Sequence, residues 1–372
     1  MNMAQAFSAS SPPKRICLLR LSALGDITHV LPTLRTLQQH CPESEITWII
    51  GKTEYQLVKA IEDVNFIIFD KSSGFSAYGK LKKDIKSHLG KDKFDVLLHM
   101  QLSIRASVAS LFIPADIKLG FDKARAKDLQ SIFCNRQIKP ETIRQHVLES
   151  FLEFPRYFGL TPVMKWDLPV SVDAIESVRA KIDEASSLAG RKIFVINPCA
   201  VAKSMNWRNW TAEGYAAVAD HVNAQHDMQV VLTGGFSELE SDTAQQIIQL
   251  CKTAKPVNLV AATNIDEMVA ALQIADIVLA PDTGPVHIAS TLNTDTIGLY
   301  ASTNPQRAGP YRHQRFTVNR YPDALQHYHQ QTVEQASWGK RIKTAECMKL
   351  ITIDDVIEKI DMIVMNNKGS ES

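Results

Sequence analysis

The chain has 372 residues, 45% hydrophobic and 22% charged, with a formal net charge of +1. That length holds two domains with full cores. The composition is that of a soluble globular protein and excludes collagen-like, disulfide-dense and charge-dominated disordered classes. The near-zero total hides an asymmetry: residues 1–166 carry 23 Lys+Arg against 16 Asp+Glu, and residues 167–372 carry 18 against 24. A basic first half points to an anionic partner, either an acidic acceptor or a membrane surface; the alternative is a solvated face such as the Lys80, Lys82, Lys83, Lys86 run.

Residues 1–13 lack the basic-then-apolar order of a signal peptide and read as a disordered lead-in. Arg15 to Arg20 is a short apolar run, as expected of a strand buried on both faces of a parallel sheet. A loop from Leu21 to Asp26 follows, and then Val30, Leu31, Leu34 and Leu37 recur at helical spacing. Ile46–Ile50, Phe66–Phe69 and Asp95–Met100 read as further strands, the last leading into Gln101–Ala109. Alternation of strand and helix predicts a doubly wound parallel sheet over residues 14–168. Pro162 and Pro169 interrupt helix near a boundary between Thr161 and Ser171.

The pattern then restarts over residues 169–350. Lys192–Asn197 is a strand followed by a polar loop, Gly214–Val222 is helical, and Met228–Leu232 is a strand ending in Thr233-Gly234-Gly235. Ala261–Leu272 is mostly helical, and Ile277–Ala280 and Thr296–Tyr300 are strands. Within residues 351–372, Ile353–Met365 is a last helix with Val356, Ile360 and Ile363 on one face. The six cysteines are scattered without C-x-x-C spacing, which argues against a zinc site or a disulfide framework and suits a reducing cytoplasm. No run approaches the roughly 20 apolar residues of a membrane span.

The most informative stretch is Asp282-Thr283-Gly284-Pro285-Val286-His287, a tight turn from a buried strand into a helix. Gly284 permits close backbone approach, Pro285 suits the first helical turn, and the helix end offers free N–H groups to an anion such as a pyrophosphate. The plainer alternative is an ordinary corner with Asp282 or Thr283 as a cap. The first strand–helix turn, Leu21-Ser-Ala-Leu-Gly-Asp26, lacks G-x-G-x-x-G, which disfavours a dehydrogenase, and a P-loop is absent. The chain contains no Asp-x-Asp triplet. Charge on a leaving diphosphate is therefore expected to be met by backbone N–H groups and basic side chains, without a metal or other cofactor.

Three segments resemble glycosyltransferase family 9, the ADP-heptose:lipopolysaccharide heptosyltransferases. They are Arg20-Leu-Ser-Ala-Leu-Gly-Asp-Ile-Thr-His-Val-Leu-Pro32, Asn206-Trp-Arg-Asn-Trp-Thr-Ala-Glu-Gly-Tyr215, and Asp282–His287 with Tyr300-Ala-Ser-Thr-Asn-Pro305. The resemblance runs from about residue 15 to about residue 312. It implies an α/β GT-B fold, two Rossmann-like domains with a cleft between them. The acceptor would lie on the first domain and the donor on the second, and a C-terminal helix would return to the first. It also implies an inverting transfer of heptose from ADP-heptose to the Kdo–lipid A region of lipopolysaccharide. The partners would then be a nucleotide sugar and an anionic glycolipid, with no nucleic acid. The setting would be the cytoplasm, with contact at the inner-membrane face as a further possibility.

In that resemblance Asp26 matches the catalytic base, a role suited to a carboxylate taking a proton from an attacking hydroxyl; its alternative is a helix N-cap. Arg208 matches a basic donor-binding position where the family often has Lys, a departure because Arg offers a planar fork. Lys203 and Ser204 share its loop and are read either as phosphate contacts or as solvated loop. Glu238 or Glu240, after the Thr-Gly-Gly turn, is the carboxylate for ribose hydroxyls. Thr263 matches a position near the adenine, with a helix N-cap as the alternative. Asp282, Thr283, Gly284 and His287 complete the donor set. Gln101, Arg105, Arg125 and Lys127 follow strands of the first domain and are the acceptor candidates. Three other readings stay open: the same fold acting on another nucleotide sugar as transferase or epimerase, a binding protein without turnover, and, least favoured, the dehydrogenase.

Overall fold

The computed structural model describes residues 12–126, 128–139, 144–186, 190–200 and 207–370. Lys127, Lys203, Ser204 and most of the expected lead-in lie outside these residues. The chain divides into two compact units, 1–169 and 170–372.

The first unit contains strands β1 (Arg15–Leu19), β2 (Glu45–Gly51), β3 (Asn65–Phe69), β4 (Phe94–His99), β5 (Ala115–Gly120) and β6 (Arg136–Gln137). Helices α1 (Leu24–His40), α2 (Lys52–Val58), α3 (Ser76–Leu89), α4 (Ile104–Leu111), α5 (Gln130–Phe133) and α6 (Val147–Tyr157) alternate with them. The sheet is parallel, in the order β3-β2-β1-β4-β5-β6. Ile16, Cys17, Leu18 and Leu19 are all buried, the continuous apolar run that a strand covered on both faces requires. In α3 the buried side chains Ala77, Leu81, Ile85 and Leu89 form one stripe, and Lys80, Lys82, Lys83 and Lys86 are exposed on the remainder. The basic run is thus the solvated face of an amphipathic helix.

The second unit holds α7 (Val172–Ala185), β7 (Ile193–Ile196), α8 (Ala212–His226), β8 (Gln229–Leu232), α9 (Glu238–Leu250) and β9 (Val257–Asn258). It continues with α10 (Ile265–Ile274), β10 (Ile277–Pro281), α11 (Gly284–Thr291), β11 (Asp295–Tyr300), α12 (Pro305–Ala308), β12 (Val318–Asn319), α13 (Tyr321–His329) and α14 (Ile353–Ser370). Its parallel sheet is ordered β12-β11-β10-β7-β8-β9. α14 lies on α8, β11 and β12, and Val356, Ile360 and Ile363 are fully buried in the second unit's core.

Both sheets start in the middle, wind outward to one side, and then restart on the other side of the first strand. The winding reverses between β1 and β4 in one unit and between β7 and β10 in the other. In open α/β sheets this reversal opens a crevice beyond the carboxyl ends of the strands, where ligands bind.

Candidate functional site

In the first unit the chain leaves β1 at Arg20 and enters α1 at Leu24. Arg20 is buried, and its guanidinium spans the reversal point. Nη1 donates to the Met100 carbonyl at 2.7 Å, Nη2 donates to Asp26 Oδ2 at 2.5 Å, and the group lies 5.0 Å from the centre of the Phe151 ring. Gln101 holds the same loop from the β4 side. Its Oε1 accepts from the backbone N–H of Leu21 (2.7 Å) and Ser22 (3.0 Å), and its Nε2 donates to Ser22 Oγ (3.1 Å). Gln101 is therefore a brace for the loop. Gly51 completes the fit: a Cβ there would stand 2.3 Å from the Leu21 carbonyl oxygen.

Asp26 is the third residue of α1, not its N-cap; that position is Ala23, which has no side-chain acceptor. The carboxylate reaches back to the Ala23 N–H at 3.3 Å, which is half of a capping box. Both of its hydrogen bonds fall on Oδ2. Oδ1 has none among the described residues, and the side chain is 35% exposed. One oxygen is anchored and the other faces outward. Glu54 is buried beneath the loop; burial raises its pKa, with Lys71 and Arg20 working against the rise.

A depression at this edge is lined by Leu21, Ser22, Gly51, Phe69, Lys71, Gln101, Ser103 and Arg105. Lys71 and Arg105 are exposed there and make no ion pair among the described residues. Arg125, by contrast, is engaged. Nε donates to Asp122 at 2.5 Å, Nη2 stands 2.5 Å from the buried Glu153 carboxylate, and the guanidinium lies over Phe121.

In the second unit Asp282, Thr283 and His287 are buried beyond the end of β10. Arg208 Nη1 donates to the Asp282 carbonyl at 2.7 Å and lies 3.7 Å from its Oδ2, while His287 Nε2 is 3.6 Å from Oδ1. Thr303, in the segment after β11, donates to Asp282 Oδ2 at 2.9 Å. Burial would raise the Asp282 pKa, but His287, Arg208 and Thr303 outweigh it and hold the group below the usual aspartate value. Thr283 is the N-cap of α11, with extended backbone, yet its hydroxyl donates to the Ala200 carbonyl at 3.2 Å and caps nothing. Gly284 is the first residue of the helix. An uncapped helix start flanked by Arg208 has the makings of an anion site.

The remaining donor candidates separate. Glu240 closes a capping box with Ser237 and accepts from the Gly235 N–H at 2.7 Å, so both its oxygens serve the turn after β8. Glu238 is exposed at the start of α9. Thr263 is not a cap: Asn264 fills that role for α10, accepting from the Glu267 N–H at 3.0 Å. The Thr263 hydroxyl is buried and has no hydrogen-bond partner among the described residues. Trp210, the aromatic of the Arg-x-Trp segment, is architectural. Its Nε1 donates to the Ile351 carbonyl at 3.0 Å, and its ring lies against Gly214, where a Cβ would come within 2.5 Å.

The structure thus gathers Arg208, Asp282, Thr283, Gly284 and His287 at one reversal point, and Gln101 and Asp26 at the other. Arg20, Lys71 and Thr303 were not singled out from sequence. Arg20 opens the first motif and Thr303 lies in the last, so motif membership was the available signal; Lys71 offered none.

Two doubly wound units, each with its polar segment at the point of reversal, make an α/β chain of the GT-B glycosyltransferase class. The crystal structure of a family 9 glycosyltransferase from Veillonella parvula superposes with a TM-score of 0.77 at 18% identity, covering 95% of this chain and 97% of that one. Escherichia coli ADP-heptose LPS heptosyltransferase II gives 0.68 at 18% identity, with 95% and 99% covered. E. coli heptosyltransferase WaaC with ADP gives 0.68 at 17%, with 94% and 99% covered. The model of glycosyltransferase family 9 (heptosyltransferase) matches residues 83–337. The lipopolysaccharide core heptosyltransferase OpsX of Haemophilus influenzae is 36% identical over 93% of this chain and 95% of its own length. The chain belongs to glycosyltransferase family 9 and is a glycosyltransferase.

Proposed function

We propose that this enzyme transfers heptose from ADP-heptose to the inner core of lipopolysaccharide, with inversion and without a metal, in the cytoplasm at the face of the inner membrane. The observation that carries the chemistry is the divided Asp26 carboxylate, Oδ2 tied to Arg20 and Oδ1 open. In the transfer, the acceptor hydroxyl gives its proton to Oδ1 as its oxygen bonds to the anomeric carbon. The bond from that carbon to the diphosphate oxygen breaks, and its electron pair leaves with ADP. The start of α11 and Arg208 meet the charge that develops on the diphosphate. Thr263 is the candidate polar contact for the base, because its buried hydroxyl has no hydrogen-bond partner among the described residues. Arg105 and Lys71 are the cations for an acidic acceptor, and Arg125 is left to its own ion pairs. Kinship with a protein named a lipopolysaccharide core heptosyltransferase supports the acceptor, and the ADP in the E. coli structure supports the nucleotide.

The test is a ligand screen followed by an assay. ADP is expected to raise the melting temperature more than UDP, GDP or NAD at equal concentration, by mass action on the native state. Transfer from ADP-heptose to a Kdo–lipid A acceptor is expected to persist in excess EDTA. A larger shift with UDP would move the donor, and activity abolished by chelator and restored by magnesium would end the metal-free mechanism.

A further inference from the structure

The end of α8 and the middle of α14 bring together side chains that the transfer chemistry does not use. His221 and His226 belong to α8 and Asp361 to α14. The Nε2 atoms of both histidines face a single oxygen, Asp361 Oδ1, at 3.3 and 2.7 Å, and the two rings stand 5.2 Å apart at 71°. All three groups are half-buried, and their ligand atoms lie within 4.8 Å of one another. Helix α8 runs from the end of β7 toward the start of β8, and His226 is its last residue. The cluster therefore lies at the amino edge of the second sheet, opposite the edge that carries Asp282.

We propose that His221, His226 and Asp361 form a binding site for a divalent ion of the zinc class, which fastens α14 to α8. The donor set selects the ion: two imidazole nitrogens and one carboxylate oxygen suit zinc, cobalt or nickel, whereas magnesium and calcium take oxygen ligands. The two separations from Asp361 are close to what such an ion needs, and the two Nε2 atoms lie within 4.8 Å of each other. Ligands held at about 2.0–2.2 Å around a tetrahedral ion lie roughly 3.3–3.6 Å from one another. The His221–Asp361 separation already has that value, and the His226–Asp361 pair needs to open by little more than half an ångström. Each imidazole presents its Nε2 lone pair once the proton sits on Nδ1. A water molecule takes the fourth position on the half-exposed side. Histidines five apart do not share a regular helix face, where neighbours are three or four apart. They meet here because both rings turn toward the same Asp361 oxygen on the neighbouring helix.

The test uses the full chain, freed of any histidine tag and stripped of metal, and titrated with cobalt(II) at pH 7.5. One equivalent of cobalt(II) is expected to bind with the visible absorption of a low-coordinate site, zinc(II) to displace it, and zinc(II) at a hundredfold excess over its Kd to raise the melting temperature by about 5 °C or more. Asp361→Asn keeps a hydrogen-bond acceptor but removes the anionic ligand, and His226→Gln removes one nitrogen; each is expected to weaken binding at least tenfold. Absence of saturable one-to-one binding by the wild-type chain overturns the proposal, as does affinity unchanged in His226→Gln or Asp361→Asn. The wild-type titration decides the matter even where a variant fails to fold.

Discussion

Asp26 is held through one oxygen and offered through the other, and this division separates its two roles. Asp26→Asn preserves the side chain's shape and an acceptor for the Ala23 N–H, so the start of α1 survives. Turnover is nevertheless expected to fall by about 10² or more with ADP affinity unchanged, the usual contribution of a positioned base. Near-wild-type turnover at saturating donor and acceptor would leave the carboxylate a helix-start contact and nothing more. Thr263 and Asn264 allow a second separation between neighbours. Asn264→Ala removes the α10 cap and is expected to cost about 1 kcal/mol in urea unfolding. Thr263→Val removes a buried hydroxyl that has no partner among the described residues, so stability should hold or rise while ADP binding weakens. A Thr263→Val chain that loses stability but keeps its ADP affinity would show that the hydroxyl serves the fold.

The elements that were legible in the sequence are those whose burial leaves a pattern. The parallel strands read as short apolar runs because both faces are covered. α1, α8 and α14 read as helices from their apolar spacing. Their ends were less legible: α1 starts at Leu24 behind an alanine, and nothing in Ala23 announces a cap, so the N-cap alternative for Asp26 sets the helix start three positions too late. Glu240 shows the reverse case, since Ser237-Glu-Leu-Glu240 spells a capping box and the structure uses it as one. Arg20's partners could not be read, because the Met100 carbonyl lies 80 residues away. Element pairing also sets an acid response. Glu267 on α10 is held down to about 2 by Lys181 of α7, by Ser177 and by the Asn264 N–H. A depressed carboxylate stabilises the fold above its unfolded pKa of about 4.3 and loses that contribution as pH falls toward its folded value. Stability measured by urea at pH 5 and pH 3 is therefore expected to drop more steeply in the wild type than in Lys181→Met. Equal slopes would remove the α7–α10 ion pair from the account.

At the scale of the whole molecule, the two-unit α/β organisation followed from the restart of the strand–helix pattern, and the family followed from three short segments. Neither depended on long-range detail. The site did, because a reversal point joins strands that are distant in the chain: β1 with β4, and β7 with β10. All six cysteines are free, and among the described residues no helix is long and apolar enough to cross a membrane.

The placement of α14 bears on how the protein is made. Every strand of the second sheet is synthesised before Ile351 accepts the Trp210 indole hydrogen bond and before Val356, Ile360 and Ile363 enter the core. At roughly 5–20 residues per second, the ribosome needs on the order of 10–40 s to produce residues 170–372. Through that interval the first unit is complete and the second still lacks part of its interior. The second unit should thus mature only once α14 has been made, and a nascent chain stalled at residue 350 should present a protease-resistant first unit beside a digestible second one. Equal resistance of both would show that the last helix is dispensable for closure of the core.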